Sequence, residues 1–257
     1  MTCKNMYEFN DVALLITHYN RSSSLRRLLQ SFKDLNCAFG EIVVSDDGSD
    51  SDSLKSLEES RNIFNFTLIT TPTNRGLGHN LNKGQDAVTL PYTLYVQEDF
   101  VATDAFPVNF TNALKIFRTQ EFDLIRFYSY LKFPYLKPYQ KGFSEMCLGT
   151  WQMDYTKIYA YSDHPHLRKS TFLKKFGRYA EGIKGDKTEY RMCISFIKNR
   201  GRGLFFDDYQ TMFNQINSES EPSTMKRSSW TQTRSPIVSM IRYLYRQVKY
   251  NFDIHFS

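Results

Sequence analysis

The stretch Tyr92-Thr-Leu-Tyr-Val-Gln-Glu-Asp-Phe-Val101 is an apolar, β-prone run that stops at two adjacent carboxylates, Glu98 and Asp99. Desolvating an ionised carboxylate is costly unless it gains a partner or a metal, so paired acids rarely sit inside a buried strand. At the carboxyl end of a parallel strand the same pair faces the crevice where open α/β sheets bind ligands. Hard oxygen ligands in that place suit Mg2+ or Mn2+ carrying a diphosphate. Taken alone the run is equally a strand ending in an acidic turn, so the decision rests on what precedes it.

Three more segments of the same kind come earlier. Val12-Ala-Leu-Leu-Ile-Thr17 is a short apolar run of buried parallel-strand type and ends at His18-Tyr-Asn-Arg21. Serines 22 to 24 offer caps to a helix whose Leu25, Leu28, Leu29 and Phe32 fall at helical spacing. Glu41-Ile-Val-Val-Ser45 is a second strand, closed by Asp46-Asp-Gly-Ser-Asp-Ser51, and a helix follows around Leu54 to Arg61. Phe66-Thr-Leu-Ile-Thr70 is a third, after which Asn74-Arg-Gly-Leu-Gly78 opens a helix running to about Ala87. Strands alternating with helices predict βαβ units and a parallel sheet. His18 to Arg21, Asp46 with Asp47, Asn74 to Gly78, and Glu98 with Asp99 all follow strands, so they should share one rim. There a buried carboxylate can discriminate a base by its N–H donor, Arg75 can grip phosphate in a fork, and Gly76 and Gly78 allow close backbone approach. Each loop by itself is also an ordinary turn or cap; their succession at four strand ends is what carries the reading.

The 257 residues suffice for one large α/β domain, and 41% hydrophobic with 23% charged residues reads as globular. No apolar run reaches the roughly 18 residues that span a bilayer, and Met1 to Asn10 has no signal-peptide core. Cys3, Cys37, Cys147 and Cys193 form no metal or disulfide pattern, which predicts reduced thiols and a cytoplasmic protein. The net charge of +6 is concentrated late in the chain, and no nucleic-acid partner is expected.

Val12 to Arg21, Glu41 to Ser49, Asn74 to Gly78 and Leu94 to Asp99 together resemble the inverting family 2 glycosyltransferases of GT-A fold, over roughly the first hundred residues and in that family's order. The resemblance implies a Rossmann-like, mostly parallel sheet flanked by helices, holding a nucleoside-diphosphate sugar, with a UDP-sugar favoured. By that likeness Thr17, Tyr19 and Arg21 lie beside the nucleoside, Asp46 and Asp47 help read the base, and Arg75 with Gly76 and Gly78 serves the ribose–phosphate side. Glu98 and Asp99 resemble the family's aspartate-rich motif for a divalent cation, Mg2+ or Mn2+. The commonest form of that motif is Asp-x-Asp, which would place Gln97 at the first acid; taking Glu98-Asp99 as the acidic pair keeps two charged ligands.

The likeness thins after residue 103, and we divide the chain into a nucleotide-sugar half (1–103), an acceptor-side half (104–225) and a basic amphipathic C-terminal segment (226–257). Asp104 to Phe117 predicts a helix, Phe122 to Phe127 a strand, and the aromatic stretch Tyr128 to Phe143 a long loop, whose rings pack the loop or stack on sugar faces. Tyr159 to His166 reads as a turn, the alternative being two histidines that ligate metal or hold a diphosphate, and Leu167 to Phe176 as a basic helix. In Gly182-Ile-Lys-Gly-Asp-Lys-Thr-Glu-Tyr-Arg-Met-Cys193 the resemblance implies a carboxylate at a helix mouth that serves as the catalytic base. Glu189, followed by Arg191, is the leading candidate and Asp186 the second, with Glu181 nearby. Asp186-Lys-Thr-Glu189 is also a capping-box pattern. Gly203 to Phe206 is a returning strand ending at Asp207-Asp208, and Ser218 to Thr224 a loop. Residues 236–250 mix apolar and basic residues at helical spacing, as a helix packed on its own domain or one touching an anionic membrane surface would.

The expected activity is an inverting transfer from a nucleoside-diphosphate sugar to the hydroxyl of a saccharide or lipid-linked saccharide, in surface polysaccharide or glycan assembly. Two readings compete with it. A sugar-phosphate nucleotidyltransferase needs a Gly-rich, Arg-bearing signature after the first strand, which His18-Tyr-Asn-Arg-Ser22 lacks. A nucleotide-sugar-binding scaffold without catalysis draws support from the imperfect metal motif.

Overall fold

A computed structural model describes residues 6–148, 152, 154–217, 221 and 236–256. The strand that opens the sheet, β1 (Tyr7–His18), lies between β2 (Cys37–Asp46) and β4 (Tyr92–Gln97), parallel to both, and β3 (Thr67–Ile69) extends the sheet beyond β2. Helices α1 (Ser22–Asp34), α2 (Ser51–Phe64) and α3 (Leu77–Asp86) make the crossovers. The apolar runs are continuous because both faces of the sheet are covered. Leu14, Ile16, Val44 and Leu94 face one side, where they meet Leu25, Leu28 and Phe32 of α1 and Phe106, Phe110 and Phe117 of α4 (Phe106–Thr119). Leu15, Val43 and Tyr95 face the other, with Leu81 of α3 and Met192 and Phe196 of α6 (Gly185–Lys198).

The second half continues the same sheet rather than building another. β6 (Leu124–Arg126), β8 (Phe143–Met146), β9 (His166–Lys169) and β10 (Gly203–Phe206) join it with β7 (Leu136–Gln140), giving the order β3-β2-β1-β4-β9-β6-β10-β8-β7. A separate two-stranded ribbon pairs β5 (Phe100–Ala102) with β11 (Phe213–Gln215), just past the acids that end β4. Helix α7 (Pro236–Phe256) packs beside α6 and a 3-10 turn at Tyr155–Ala160.

Several expectations from the sequence are corrected. The span 167–176 is not one helix: β9 runs antiparallel between β4 and β6, and only the short α5 (Phe172–Phe176) is helical. Pairing on both edges overrides local helical spacing there, and Arg168, opposite Thr93, is drawn inside to meet Gln85 and stack over Tyr95 and Phe172. The stretch expected as a loop from Tyr128 to Phe143 contains a hairpin, β7–β8, turned by Lys141 and Gly142 at φ 52° and 77°. Two positive φ values suit the right-handed twist of the strands, and the glycine makes one of them inexpensive. Of the loop expected at Ser218 to Thr224, all but Glu221 lies outside the described residues.

Candidate active site

The register of the central strands gathers the polar residues on one edge, since His18 pairs with Asp46 and Thr17 with Gln97. His18, Asp46 and the acids after Gln97 therefore end at the same level of the sheet. Within that edge the side chains divide into some that hold the loops and some that do not.

Asp46 holds its loop. One carboxylate oxygen accepts from His18 Nδ1 (2.8 Å) and Ser49 Oγ (2.5 Å), the other from the Gly48 and Ser49 N–H groups (3.1 Å each). Burial alone would raise its pKa, but the bonds from His18 and Ser49 outweigh this and keep it below the ordinary aspartate value. With both oxygens engaged and no exposed surface, Asp46 fixes the turn that Gly48 completes at φ 72°. Asp47 reaches the next loop, accepting from Arg75 N–H (3.0 Å) and Gly76 N–H (2.8 Å). Burial raises its pKa, with those two N–H groups and the nearby Lys83 opposing. Thr17 turns inward to Tyr95 Oη at 2.9 Å, whereas Tyr19 is half-buried at the edge.

Arg75 is largely exposed and reaches Glu181 at 3.6 Å, so it spans the gap between the glycine loop and the segment before α6. Gly76 sits at φ 87°, a conformation that side chains rarely adopt, and a Cβ there would meet only Ile183 O, at 3.8 Å. Gly78 serves a different purpose from ligand approach: a Cβ there would stand 2.2 Å from Ala180 O, so this glycine lets α3 pack against the chain leading to α6.

The acids at the end of β4 meet Arg21. Its Nη1 lies 3.4 Å from both Glu98 Oε1 and Asp99 Oδ2, and its Nη2 donates to Asn217 at 2.8 Å. Gln215 of β11 also donates to Asp99 Oδ2 (2.9 Å), while Asp99 Oδ1 is buried without a hydrogen-bond partner. Burial, then the neighbouring Asp99 charge, push the Glu98 carboxyl up to about 7, with His18 and Arg21 pulling the other way. Two crowded acids, one oxygen unsatisfied, are what a hard divalent cation would relieve. Among the described residues no third His, Cys, Asp or Glu joins them in a metal cluster. That donor set matches a cation held by two carboxylates and completed by ligand phosphate.

The serines do not cap α1 as expected. Arg21 is its N-cap without a side-chain bond, and the Glu221 carboxylate takes the N–H groups of Ser23 (2.9 Å) and Ser24 (2.8 Å) instead. A negative charge suits those free N–H groups at a helix start.

At the start of α6 the capping box is likewise absent. Lys184 is the N-cap of α6 with no side-chain bond, and exposed Asp186 accepts only from the Lys187 N–H (2.9 Å). Glu189 points away from the helix start and accepts the Asp163 N–H at 3.3 Å. Asp163, passed over in the sequence beside the more conspicuous histidines, is buried and accepts from Gln97 Nε2 at 3.1 Å. A chain Gln97–Asp163–Glu189 thus connects the end of β4 to the helix that carries the candidate base. Buried Arg126, from β6, adds positive charge beside Glu189. The signal for that residue was present: a lone arginine inside the apolar run Leu124-Ile-Arg-Phe127 demands a buried anion. The histidines are not brought together as ligands. His166 is buried against Tyr95 and Tyr161, and His164 sits among Phe100, Tyr128 and Tyr130, its pKa driven down to about 3 by burial and then Arg126.

Asp163 gives a pH prediction. Burial first, then the charge and hydrogen bond of Glu189, raise its pKa well above the ordinary value. A folded-state pKa above the unfolded one favours the folded state when protonated; that stability is complete below about pH 4 and fades as pH rises through the folded value. Asp163→Asn should flatten this decline, so the difference in melting temperature between variant and wild type should grow in the variant's favour toward neutral pH. Parallel melting profiles across that range would remove the buried charge from the account.

Comparison with known proteins decides the family. The model of glycosyl transferase family 2 matches residues 13–174, more than half of the chain. The chain belongs to glycosyl transferase family 2. Over 96 residues it is 26% identical to the poly-beta-1,6-N-acetyl-D-glucosamine synthase of Staphylococcus epidermidis, which is 37% of this chain and 23% of that protein; the match spans under a quarter of the relative's length. Among solved structures, S. aureus TarS 1–349 in complex with UDP-GlcNAc superposes with a TM-score of 0.65 at 17% identity, over 94% of this chain and 72% of that one. Mannosyltransferase PcManGT from Pyrobaculum calidifontis, in complex with GDP-Man and Mn2+, gives 0.56 at 13% identity, over 93% and 63%. At such identities these likenesses show the fold, which is GT-A.

Proposed function

We propose that this glycosyltransferase inverts the anomeric centre of a nucleoside-diphosphate sugar, a UDP-sugar by preference, as it transfers the sugar to the hydroxyl of a saccharide or lipid-linked saccharide. The observation that carries this is the linked edge: Glu98 and Asp99 end β4, and the residue before them, Gln97, reaches through Asp163 to Glu189 on α6. The acids that would hold donor-side charge and the residue that would serve as base are thereby linked by one hydrogen-bonded chain. Residues 1–103 would bind the donor and 104–225 the acceptor. TarS with UDP-GlcNAc and the synthase with its glucosamine polymer favour a UDP-sugar and a glycan product, though only as relatives.

Glu189 would accept the acceptor's proton as its oxygen attacks the anomeric carbon from the face opposite the leaving diphosphate, so no covalent intermediate forms. Arg75 and Arg21 would hold the diphosphate, the first exposed at the loop and the second poised between the acids. Glu98 and Asp99 would hold Mg2+ or Mn2+, which when bound neutralises charge on the departing diphosphate. Backbone at Gly76 would lie along the ribose–phosphate side, with Tyr19 beside the nucleoside.

Base reading falls to Asp47 in this scheme, because each Asp46 oxygen already accepts two hydrogen bonds within its own turn whereas each Asp47 oxygen accepts one from the 75–76 loop. Asp47→Ala should weaken UDP binding by about 1–3 kcal/mol, the cost of leaving a buried partner unpaired. Asp47→Asn keeps an acceptor for the loop and should lose less. Calorimetry giving wild-type UDP affinity in folded Asp47→Ala would exclude the residue from base recognition. The enzymatic reading itself is tested by nucleoside-diphosphate release with a panel of nucleotide sugars; binding without turnover for every donor and acceptor would leave the scaffold.

A further inference from the structure

Helix α7 is attached to the domain along one side. Tyr190 Oη donates to Asp253 at 2.6 Å and its ring lies 4.9 Å from that of Tyr250, the Tyr155 N–H donates to Gln247 at 2.9 Å, and Ile254 is buried. The opposite side is apolar and open to water. Met240, Leu244, Val248, Phe252 and Phe256 recur every four residues and are between 54 and 76% exposed, with Ile241 alongside at 50%. Steps of four residues advance about 40° around a helix, so these positions form one broad face about 160° wide. Single exposed apolar side chains need no explanation, but a continuous stripe along a 21-residue helix marks a docking surface.

Charge selects the occupant. Residues 226–257 carry six basic side chains, Arg242, Arg246 and Lys249 of α7 among them, against the single acid Asp253. Five of the chain's six net positive charges therefore lie in and just before this helix. A second copy would set like charge against like charge, whereas an anionic lipid surface neutralises it. Arg242 lies on the border of the stripe, where basic residues of interfacial helices meet lipid phosphates, while Lys249 pairs with Asp253 over the Tyr190 ring toward the domain. No helix of the described residues is long and apolar enough to cross a membrane, so the contact is along the surface.

We propose that α7 is an interfacial helix whose outward stripe enters the headgroup boundary of an anionic bilayer, flanked by its basic residues. The proposal stands independently of which sugar or acceptor the enzyme uses.

Flotation of the full chain with vesicles tests it. The protein should rise with phosphatidylglycerol–phosphatidylcholine vesicles at least about tenfold more than with phosphatidylcholine alone, and less so in high salt, which screens the headgroup charge. Val248→Glu together with Phe252→Glu should abolish flotation while circular dichroism and melting temperature stay unchanged; Val248→Ser, a milder change, should reduce it. UDP binding by calorimetry should be the same in all of these variants, which separates failure here from failure of the donor-site reading. Absence of flotation with either vesicle, or equal flotation with both, would overturn the proposal. So would a concentration-dependent dimer in sedimentation that the same substitutions dissociate, since that assigns the stripe to a second copy.

Discussion

Glu189→Gln should lower turnover by about 10² to 10⁴, the usual contribution of a positioned general base, with donor binding and melting temperature close to wild type. The substitution is discriminating because of what the side chain does in the fold. Its Oε1 accepts the Asp163 N–H at 3.3 Å, and a glutamine oxygen can still do so. The amide cannot take a proton at neutral pH, so shape and anchoring persist while the chemistry is lost. Stability should even be spared the repulsion that Glu189 imposes on buried Asp163. Transfer measured as nucleoside-diphosphate release per folded molecule is the deciding quantity. If it is unchanged, Glu189 only anchors the 163 turn, and Asp186→Asn becomes the next test. Asp186 is exposed and bonded only to the adjacent Lys187 N–H, so its loss would disturb little besides any chemistry it performs.

The first hundred residues were legible in the sequence because their elements are local and repeated. Each strand is a short apolar run, each is followed by a polar turn, and parallel βαβ geometry brings the turns to one edge without further information. The roles within that edge were not legible. Asp46 and Asp47 are adjacent and chemically identical, yet one is closed inside its own turn by His18 and Ser49 while the other ties down the 75–76 loop. Which of two neighbouring carboxylates faces inward depends on strand register and pleat, not on composition. The second half was harder for a related reason. Its partners are far apart in the chain: Gln97 finds Asp163, and Asp163 finds Glu189. A local motif, the capping box, competed for the same residues and lost to that long-range contact. Strand β9 was missed likewise, since what makes residues 166–169 a strand is the pair of edges on either side.

Asp99→Asn should cut turnover by roughly 10² or more, in line with losing one electrostatic stabiliser of the developing charge, and should weaken Mn2+ binding measured directly by calorimetry with UDP present. Asp99 is the better target than Glu98 for a physical reason. Glu98 is already pushed up to about 7 by burial and by Asp99's charge, so it is partly protonated near neutral pH and its substitution mixes two effects. Asp99 offers a buried oxygen with no hydrogen-bond partner, which makes it the donor atom most in need of a cation. The other oxygen receives Gln215 Nε2 and lies near Arg21, contacts an asparagine carbonyl can largely keep, so the fold should tolerate the change. Arg21 supplies an internal control. Its guanidinium already stands 3.4 Å from both acids. If that positive charge alone suffices at this edge, wild-type activity should survive EDTA, and Arg21→Met should abolish it. Should the acids instead require a divalent ion, EDTA should remove activity, added Mn2+ should restore it in the wild type, and Asp99→Asn should need a higher Mn2+ concentration for half-restoration. Full activity in EDTA would end the metal role of Glu98 and Asp99 whatever the variant does, and would leave them as the carboxylate clamp that holds Arg21 against the diphosphate.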